Sequence, residues 1–440
     1  MIRWFNLPKD DLLRGLLLPN PGTPLTPEAA QNLALAVALR GLGAVSPNPM
    51  VGAVVVDSGH RFVGAAAHER VGGLHAEAHL LSKLLHELPE AGFKAKLAGA
   101  RLYVTLEPCA HEGRTPSCAK ALAASGIREV IYGVTDPNPL VSGKGSEILR
   151  GAGINAVDAS SHSDFKLWSA ACQDLAGIFL HNISTGRMFT ALKIAASLDG
   201  VVAFEGDRRV WITGERARAY GHYLRMAYDA IGVGAGTVLA DHPRLNVRHP
   251  FLTDSAMTRT PRRVVFDPRG RALEFALGGA GVPLVTEEPA TTIWLVAGGN
   301  GKAGTKADGK SAVTPDLIGR GEARGIKVVA IPVEPISGRF MWSEVDGALQ
   351  TLGVRSLLLE GGPGLYASAL GEGDVRTRPA LNKIHLFQSP QILGDRSPSG
   401  AKALRWTAAT SPQHVIRQDR VQLFQLDGDW GFEIPVETQT

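Results

Sequence analysis

Short runs of β-branched and aliphatic residues alternate with helical patterns along most of this chain, and the alternation restricts the folds it can adopt. A run such as "VGAVVVD" (51–57) predicts a buried strand. In contrast, "TPEAAQNLALAVALR" (26–40) predicts a helix with Thr26 as its N-cap and Pro27 at its first position. The leucines of the next helical pattern, "HAEAHLLSKLLHEL", share one face: Leu81, Leu84, Leu85 and Leu88. The alternation predicts a central sheet with helices on its faces.

The same alternation resumes after residue 184. One helical pattern, "TGERARAYGHYLRMAYD", stands among seven strand patterns: "RMFTALKIAAS", "AIGVGAG", "PRRVVFD", "TIWLVAG", "IKVVAIP", "VRSLLLEGG" and "LNKIHLFQS". A chain of 440 residues exceeds one typical core. We therefore expect two α/β domains, 1–184 and 185–440. The polar, glycine-rich segment 298–315 predicts a loop.

Composition argues against several classes of protein. The net charge is +4, and no run of consecutive basic residues marks a nucleic-acid-binding surface. No apolar run reaches the roughly 18 residues that a membrane span needs. Three cysteines make a disulfide framework improbable and favour the reducing cytoplasm. We expect a cytoplasmic protein, with neither nucleic acid nor membrane as partner.

Two short motifs, "HAE" and "EPCAHEGRTPSC", hold residues that bind metal and move protons. Zinc favours tetrahedral coordination by histidine and cysteine, and a catalytic site keeps one position open for water. His75, Cys109 and Cys118 supply three such ligands. Glu77 lies two residues past the histidine and could move protons without binding the metal. The pattern matches the H-x-E and P-C-x-x-C motifs of zinc nucleobase deaminases, except that eight residues separate the cysteines instead of two.

Four motifs together resemble the deaminase half of the bifunctional riboflavin-biosynthesis deaminase–reductase family: "SPNPMVGAVVVD", "HERVGGLHAE", "TLEPCAHEGRTPSC" and "DPNPLVSGKG". The resemblance covers about 26–160 and includes the long gap between the cysteines. It implies a cytidine-deaminase-like three-layer α/β/α domain that deaminates a diaminopyrimidinone ribosylamino 5′-phosphate. It also places Asn48 against the pyrimidine. Arg114 and Lys144 are chemically suited to the phosphate, and Leu74 stands where the family has proline.

The second half lacks the G-x-G-x-x-G fingerprint of dinucleotide-binding folds. However, "LKIAASLDG", "WITG", "GAGTVLADHPRLNVR", "RVVFD" and "LLLEGGPGL" resemble the reductase half of the same family over about 187–395. The resemblance implies a dihydrofolate-reductase-like α/β domain that uses NADPH to reduce the ribose to ribityl. Ten residues fall at cofactor positions: Ala195, Trp211, Thr237, Asp241, Gly362, Pro363, Gly364, Leu365, Tyr366 and Ala367. Five residues are assigned to the substrate: Arg209, Arg225, Leu245, Arg248 and Glu360.

Some residues depart from the family pattern and keep alternatives open. Arg209 replaces a serine, so its guanidinium could contact phosphate or crowd the pocket, and His242 replaces an acidic or amide residue. Segments 298–315 and 371–380 resemble insertions. The alternatives are a deaminase with an inactive reductase domain, a deaminase of nucleic-acid bases, and a purely structural zinc. The family also implies pairing of reductase domains, so we expect a homo-oligomer.

Overall fold

The structure is a computed structural model that describes residues 18–111, 117–138, 142–205, 211–248, 260–299, 302–303, 313–370, 374–396, 402–405, 414–416, 422–426 and 428–438. The chain forms two compact units, and the boundary between them falls between Arg187 and Met188. Each unit has its own main sheet and its own buried core.

The first unit is built on a five-stranded sheet with the order β2-β1-β3-β4-β5. Its strands are β1 (Gly52–Val56), β2 (Phe62–Ala67), β3 (Arg101–Val104), β4 (Glu129–Tyr132) and β5 (Asn155–Asp158). Strand β1 is antiparallel to β2 and β3, whereas β3, β4 and β5 are parallel to one another. The carboxyl ends of β3 and β4 therefore meet at one edge of the sheet.

Helices cover both faces of this sheet. They are α1 (Pro27–Ala38), α2 (Ala76–Glu87), α3 (Glu90–Leu97), α4 (Cys118–Ala123), α5 (Lys144–Gly151), α6 (Lys166–Leu175) and α7 (Gly177–Thr185). At Gly52 of β1 an added Cβ would lie 2.1 Å from the carbonyl oxygen of Ala34 in α1. At Gly64 of β2 it would lie 3.2 Å from Leu80 of α2. Because Gly64 pairs with Val55, which faces away from α1, the two helices lie on opposite faces.

The predicted elements of this unit are present, with one error in the face of α2. Thr26 caps α1, since its Oγ1 accepts a hydrogen bond from the Ala29 N–H at 3.1 Å. The buried leucines of α2 are Leu80, Leu81 and Leu84, whereas Leu85 is 49% exposed. The prediction that Leu85 belongs to the buried face is wrong, because Leu80 and Leu84 are the residues that pack against β2.

The second unit is built on an eleven-stranded sheet, counted over the described residues. The main strand order is β11-β10-β9-β8-β13-β6-β14-β18-β16, while β12 also pairs with β10 and β17 with β18. The strands are β6 (Phe189–Ala196), β8 (Ala230–Gly234), β9 (Arg262–Phe266), β10 (Thr292–Gly299), β11 (Lys302–Ala303), β12 (Lys327–Ile331), β13 (Ser356–Leu359), β14 (Leu381–Gln388), β16 (His414–Ile416), β17 (Gln422–Leu426) and β18 (Asp429–Thr438). A separate pair joins β7 (Val201–Phe204) to β15 (Ala403–Arg405).

The helices of the second unit are α8 (Glu215–Ala227), α9 (Ala235–Asp241), α10 (Arg271–Leu277), α11 (Pro283–Thr286), α12 (Pro315–Ala323), α13 (Trp342–Thr351) and α14 (Pro363–Leu370). The seven predicted strand patterns are the strands β6, β8, β9, β10, β12, β13 and β14, and the helical pattern is α8. Each of these seven strands is parallel to its neighbours among them, so their carboxyl ends share one edge.

The two segments predicted as insertions are described only in part. Within 298–315, the end of β10 pairs with β11 as an antiparallel ladder, so the loop prediction is wrong for these strand residues. Residues 304–312 lie outside the described residues, as do 371–373, while Val375–Thr377 forms a 3₁₀ turn. None of the described helices is long and apolar enough to cross a membrane.

Candidate metal centre and active-site cleft

Three side chains meet in the first unit with the donor atoms that zinc prefers. Nδ1 of His75 lies 3.6 Å from Sγ of Cys109 and 3.6 Å from Sγ of Cys118, and all three donor atoms lie within 4.8 Å of one another. Zinc–nitrogen bonds of about 2.05 Å and zinc–sulfur bonds of about 2.3 Å at tetrahedral angles separate such donors by about 3.6 Å. The residues therefore fit a tetrahedral zinc ion with a fourth position open.

The fold brings these residues together at two helix starts and one strand end. His75 is the N-cap residue of α2, Cys118 is the first residue of α4, and Cys109 follows the carboxyl end of β3. The Cys118 N–H points at Sγ of Cys109 at 3.4 Å, and the Ala119 N–H donates to the Cys109 carbonyl. Free N–H groups at a helix start favour a thiolate. The eight-residue gap between the cysteines thus still permits one metal site.

The cysteine sulfurs have opposite pKa shifts without metal. The Cys118 thiol donates to Cys109, which lowers the pKa of Cys109 to about 4, and contact with His75 adds to this shift. The pKa of Cys118 is raised because its proton is held by Cys109 and because the thiol is buried. The contact with Cys109 also raises the pKa of His75. One thiolate is thus present at neutral pH, as a metal ligand requires.

Glu77 is the second residue of α2 and is buried beside the three ligands without belonging to their group. Burial raises the pKa of its carboxyl group to about 7, and the negative charge on Cys109 acts in the same direction. A carboxyl group that titrates near the working pH can both accept and return a proton. The geometry and the pKa of Glu77 are suited to general acid–base chemistry.

A buried histidine, His68, holds the side chain of Asn48. Nδ1 of His68 lies 2.9 Å from the Leu74 carbonyl oxygen, which can only accept, so Nδ1 carries the proton. Nε2 of His68 then accepts from the Asn48 amide at 3.1 Å. His68 is 3% exposed, and its burial lowers its pKa, which keeps the ring neutral. The ring also lies edge-on to His75, with centroids 5.5 Å apart.

Glu107 fastens the cysteine loop to α5. Its carboxylate accepts hydrogen bonds from the Gly143 N–H and the Ser146 N–H, both at 3.1 Å. Lys144, assigned to phosphate, is exposed at the first position of that helix. Arg114, its proposed companion, lies outside the described residues.

The second unit contains a cleft of about 1700 Å³ at the carboxyl ends of its parallel strands. This volume exceeds the roughly 300–1,000 Å³ of a typical single-ligand pocket, so it can hold a cofactor and a substrate together. Nearly all described residues assigned to cofactor or substrate line it: Ala195, Trp211, Thr237, Asp241, Gly362, Pro363, Gly364, Leu365, Tyr366, Arg225, Leu245, Arg248 and Glu360. Ala367 is absent from that lining, and Arg209 lies outside the described residues.

Two residues assigned separately to substrate bind each other. Nε and Nη2 of Arg225 donate to the two carboxylate oxygens of Glu360 at 2.8 and 2.9 Å. Nη1 of Arg225 donates to the Asn246 carbonyl oxygen at 3.1 Å. The pair is largely buried, and the guanidinium group holds the pKa of Glu360 at about 2 despite burial. The guanidinium group of Arg225 is therefore already paired with a carboxylate, and Glu360 remains a negatively charged group at the cleft.

The backbone of the cleft is open where a phosphate would approach. A Cβ added at Gly234, Gly236 or Gly364 would meet nothing within 4 Å, and one at Gly362 would meet only Thr237 at 3.9 Å. Open glycines allow close contact between backbone N–H groups and phosphate oxygens. The donor chemistry and the open backbone fit a dinucleotide.

Three residues around the cleft, Trp211, Leu245 and His242, differ in exposure and in backbone conformation. Trp211 is 61% exposed, so it is not a core residue, and the guanidinium group of Arg218 lies 4.8 Å from its ring centroid. Leu245 has φ of 54° and a buried side chain, which leaves its backbone as the part available to a ligand. His242 ends α9 in the left-handed region, and its ring packs against Phe275.

Comparison with known proteins gives both units a family. Residues 26–134 match the cytidine and deoxycytidylate deaminase zinc-binding region, and residues 189–413 match the RibD C-terminal domain. The riboflavin biosynthesis protein RibD of Actinobacillus pleuropneumoniae is 36% identical, over 84% of this chain and 86% of that protein. Its counterpart in Bacillus amyloliquefaciens is also 36% identical, over 83% and 85%.

Comparison with solved structures leads to the same family. Acinetobacter baumannii RibD has a TM-score of 0.66 at 29% identity, covering 93% of this chain and 98% of that one. A Thermotoga maritima protein described as a diaminohydroxyphosphoribosylaminopyrimidine deaminase and 5-amino-6-(5-phosphoribosylamino)uracil reductase has a TM-score of 0.67 at 28% identity, with the same coverage.

Fold, metal group and cleft thus define a two-domain enzyme that joins a zinc-dependent, cytidine-deaminase-like domain to an NADPH-dependent, dihydrofolate-reductase-like domain. It acts on a small-molecule pyrimidine in riboflavin biosynthesis. The chain belongs to the RibD family of riboflavin biosynthesis proteins. The predicted fold class, the bifunctional enzyme and both cofactors are confirmed.

Proposed function

We propose that this chain hydrolytically deaminates 2,5-diamino-6-ribosylamino-pyrimidinone 5′-phosphate in its first unit and reduces the ribosyl group of the product to ribityl in its second. The observation that carries the proposal is the grouping of His75, Cys109 and Cys118 around one point, with the buried Glu77 beside them. The open cleft of the second unit supplies room for the nucleotide and the sugar phosphate.

In the deaminase unit, His75, Cys109 and Cys118 would hold the zinc ion. When bound, zinc lowers the pKa of a water molecule so that a nucleophile is available near neutral pH. Glu77 takes the proton of the attacking water and delivers it to the departing amino group, which leaves as ammonia. Asn48 binds the pyrimidine edge, and His68 keeps its amide in one orientation.

In the reductase unit, the turn from Gly362 to Gly364 and the Thr237 side chain hold the nucleotide phosphates. Trp211 and Ala195 form the walls beside the reacting ring. Hydride transfer belongs to the nicotinamide, and the chain orients the two partners. Glu360, fixed by Arg225, binds sugar hydroxyl groups, while the exposed Arg248, whose guanidinium group also donates to Oδ1 of Asn246, binds the substrate phosphate.

We also propose that the protein works in the cytoplasm as a homo-oligomer that pairs through the reductase unit. None of the three cysteines forms a disulfide, which suits a reducing compartment. Exposed apolar side chains of Leu198, Ile392 and Trp430 surround the end of β14 and support pairing there. Sedimentation of the purified protein tests the oligomeric state, and a monomer at micromolar concentration would contradict the proposed pairing.

A coupled assay tests the proposed function. Metal-replete protein is mixed with the diaminopyrimidinone phosphate and NADPH, and ammonia release and NADPH oxidation are recorded on one sample. We expect ammonia release first and NADPH oxidation that depends on it. Absence of ammonia with zinc bound would refute the deaminase activity. Ammonia release without NADPH oxidation, even when deaminated product is supplied, would show that the reductase unit of this chain is inactive.

A further inference from the structure

The loop that follows α9, residues 242–248, carries two residues proposed to bind the substrate, Leu245 and Arg248. His242 at its start has φ of 42°, and Leu245 has φ of 54°. Both angles lie in the left-handed region, which costs free energy for residues other than glycine. Such a backbone persists only where its surroundings hold it. The groups that hold this loop therefore determine where Arg248 is placed.

Two arginines from neighbouring elements bind carbonyl groups of the loop. Nη1 of Arg225 in α8 donates to the Asn246 carbonyl oxygen at 3.1 Å. Nη1 of Arg263 in β9 donates to the Arg244 carbonyl oxygen at the longer distance of 3.5 Å. Arg225 also binds Glu360 and lines the cleft, whereas Arg263 is absent from the lining. Arg263 therefore holds the loop from behind the wall of the cleft.

Arg263 is a buried cation that binds backbone carbonyl groups. It is 2% exposed, and among the described residues its guanidinium group contacts four carbonyl oxygens and no carboxylate. Nη2 donates to the carbonyl oxygens of Glu287 and Glu288 at 2.5 and 2.6 Å, and Nη1 also donates to that of Pro283 at 3.4 Å. Burial lowers the pKa of Arg263, yet arginine stays protonated in proteins. A charge without a counter-ion is costly to bury, and the carbonyl groups offset that cost.

Arg263 joins the 242–248 loop to a second strained segment, the turn at the end of α11. In the described part of the chain four residues other than glycine have positive φ, and three of them lie in these two segments: His242, Leu245 and Glu288. A surface ion pair joins the same segments, with Nε of Arg244 at 3.1 Å from Oε1 of Glu287. Both of its side chains are partly exposed, so it contributes little. The buried guanidinium group is the stronger connection.

We propose that Arg263 is a positioning residue for the reduction, which fixes the 242–248 loop so that Arg248 meets the phosphate group of the substrate. The inference rests on the proposed function of the second unit and on the proposed contact between Arg248 and that phosphate. Arg263 contacts neither substrate nor cofactor, so it affects the binding of the phosphorylated substrate and leaves hydride transfer to bound substrate unchanged. A residue that only stabilises the fold would not distinguish one ligand from another.

Steady-state NADPH oxidation by the intact, metal-replete protein tests the proposal, with the deaminated ribosylamino phosphate as substrate. Arg263→Lys keeps the charge but replaces a planar group of five donors by one ammonium group, which cannot reach both segments. We expect KM for the substrate to rise about tenfold while kcat changes less than about twofold. The dissociation constant of NADPH, measured by titration calorimetry, should stay unchanged. Arg262→Lys is the matched control, because Arg262 is the exposed neighbour on β9 and its guanidinium group donates to the Leu352 carbonyl oxygen.

Two further measurements separate positioning from stability. With a substrate analogue that lacks the 5′-phosphate, Arg263→Lys and the unmodified protein should have equal KM, because Arg248 then has no phosphate to bind. In an Arg248→Ala background, Arg263→Lys should add no further rise in KM. Arg263→Met is the second variant if Arg263→Lys does not fold, since an apolar side chain removes the cost of burying a charge. It should raise KM for the phosphorylated substrate in the same way.

Several outcomes would overturn the proposal. An unchanged KM for the phosphorylated substrate in both Arg263 variants would remove the residue from substrate binding. A comparable loss of NADPH binding, or a comparable rise in KM for the analogue without phosphate, would assign Arg263 a structural role only. A full further rise in KM in the Arg248→Ala background would show that Arg263 does not act through Arg248. Failure of the unmodified protein to oxidise NADPH with this substrate is a different result, since it rejects the proposed function of the second unit and this role with it.

Discussion

Asn48 and His68 are joined by a 3.1 Å hydrogen bond between the Asn48 amide and Nε2 of His68. The other ring nitrogen of His68 donates to the carbonyl oxygen of Leu74, the residue before the candidate metal ligand His75. One buried imidazole therefore connects Asn48, the residue proposed to bind the pyrimidine, with the segment that carries the candidate metal ligand His75. The amide of Asn48 is held with its donor toward His68, which leaves its carbonyl oxygen for the proposed contact with the substrate.

We predict that His68→Ala raises KM for the pyrimidine substrate about tenfold, because Asn48 loses the partner that fixes its amide. The zinc content should stay at one ion per chain, since the ligands are unchanged. Steady-state ammonia release and metal analysis measure the two quantities. His86→Ala, at the far end of α2, is the control and should behave as the unmodified protein. An unchanged KM in His68→Ala would show that Asn48 does not depend on this bond.

Glu77→Gln should lower kcat for ammonia release by about 10²–10⁴ while zinc remains bound, because glutamine cannot accept and return the proton. The substitution keeps the size of the side chain, so folding should be preserved. Glu87→Gln at the last position of α2 tests the same chemical change away from the site. Ammonia release that survives Glu77→Gln would show that the zinc ion has a structural role only.

Much of this arrangement can be predicted from sequence, because its causes are local. The buried strands and helix starts follow from short patterns, and the metal ligands follow from residue types at strand and helix ends. His68 could not be assigned in this way. Its partners, Asn48 and Leu74, come together only when the turn before β1 folds against the loop before α2. The spacing of residues in the sequence does not predict a contact between two such separate segments.

The Arg225–Glu360 pair shows the same limit in the second unit. The sequence marks both residues as polar groups of a cleft, but 135 positions separate them and nothing local indicates that they bind each other. The error in the buried face of α2 has a different cause. The spacing of the leucines is compatible with more than one buried helix face, and packing against β2 buries Leu80 and leaves Leu85 exposed.

Breaking the Arg225–Glu360 ion pair should destabilise the second unit strongly. Glu360→Gln leaves a buried guanidinium group without its counter-charge, which costs about 3–5 kcal/mol of unfolding free energy. The pKa of Glu360 falls from 4.5 to about 2 on folding, so the pair stabilises fully above the unfolded value and the contribution is lost as pH falls from about 5 toward 2. Urea unfolding at several pH values measures the difference between the two proteins. A difference that stays constant down to pH 3 would contradict the role assigned to the carboxylate.

Gly145 of α5 offers the sharpest test of how the cysteine loop is held. An added Cβ would lie 1.9 Å from the carbonyl oxygen of Pro108, the residue before the candidate metal ligand Cys109. Gly145→Ala should therefore push the loop away, destabilise the protein by about 1–3 kcal/mol and speed the loss of zinc to a chelator. Gly151 ends the same helix with nothing within 4 Å of its added Cβ, so Gly151→Ala should be neutral or slightly stabilising. Equal rates of zinc loss from the two variants would show that contact between α5 and Pro108 does not position the ligand.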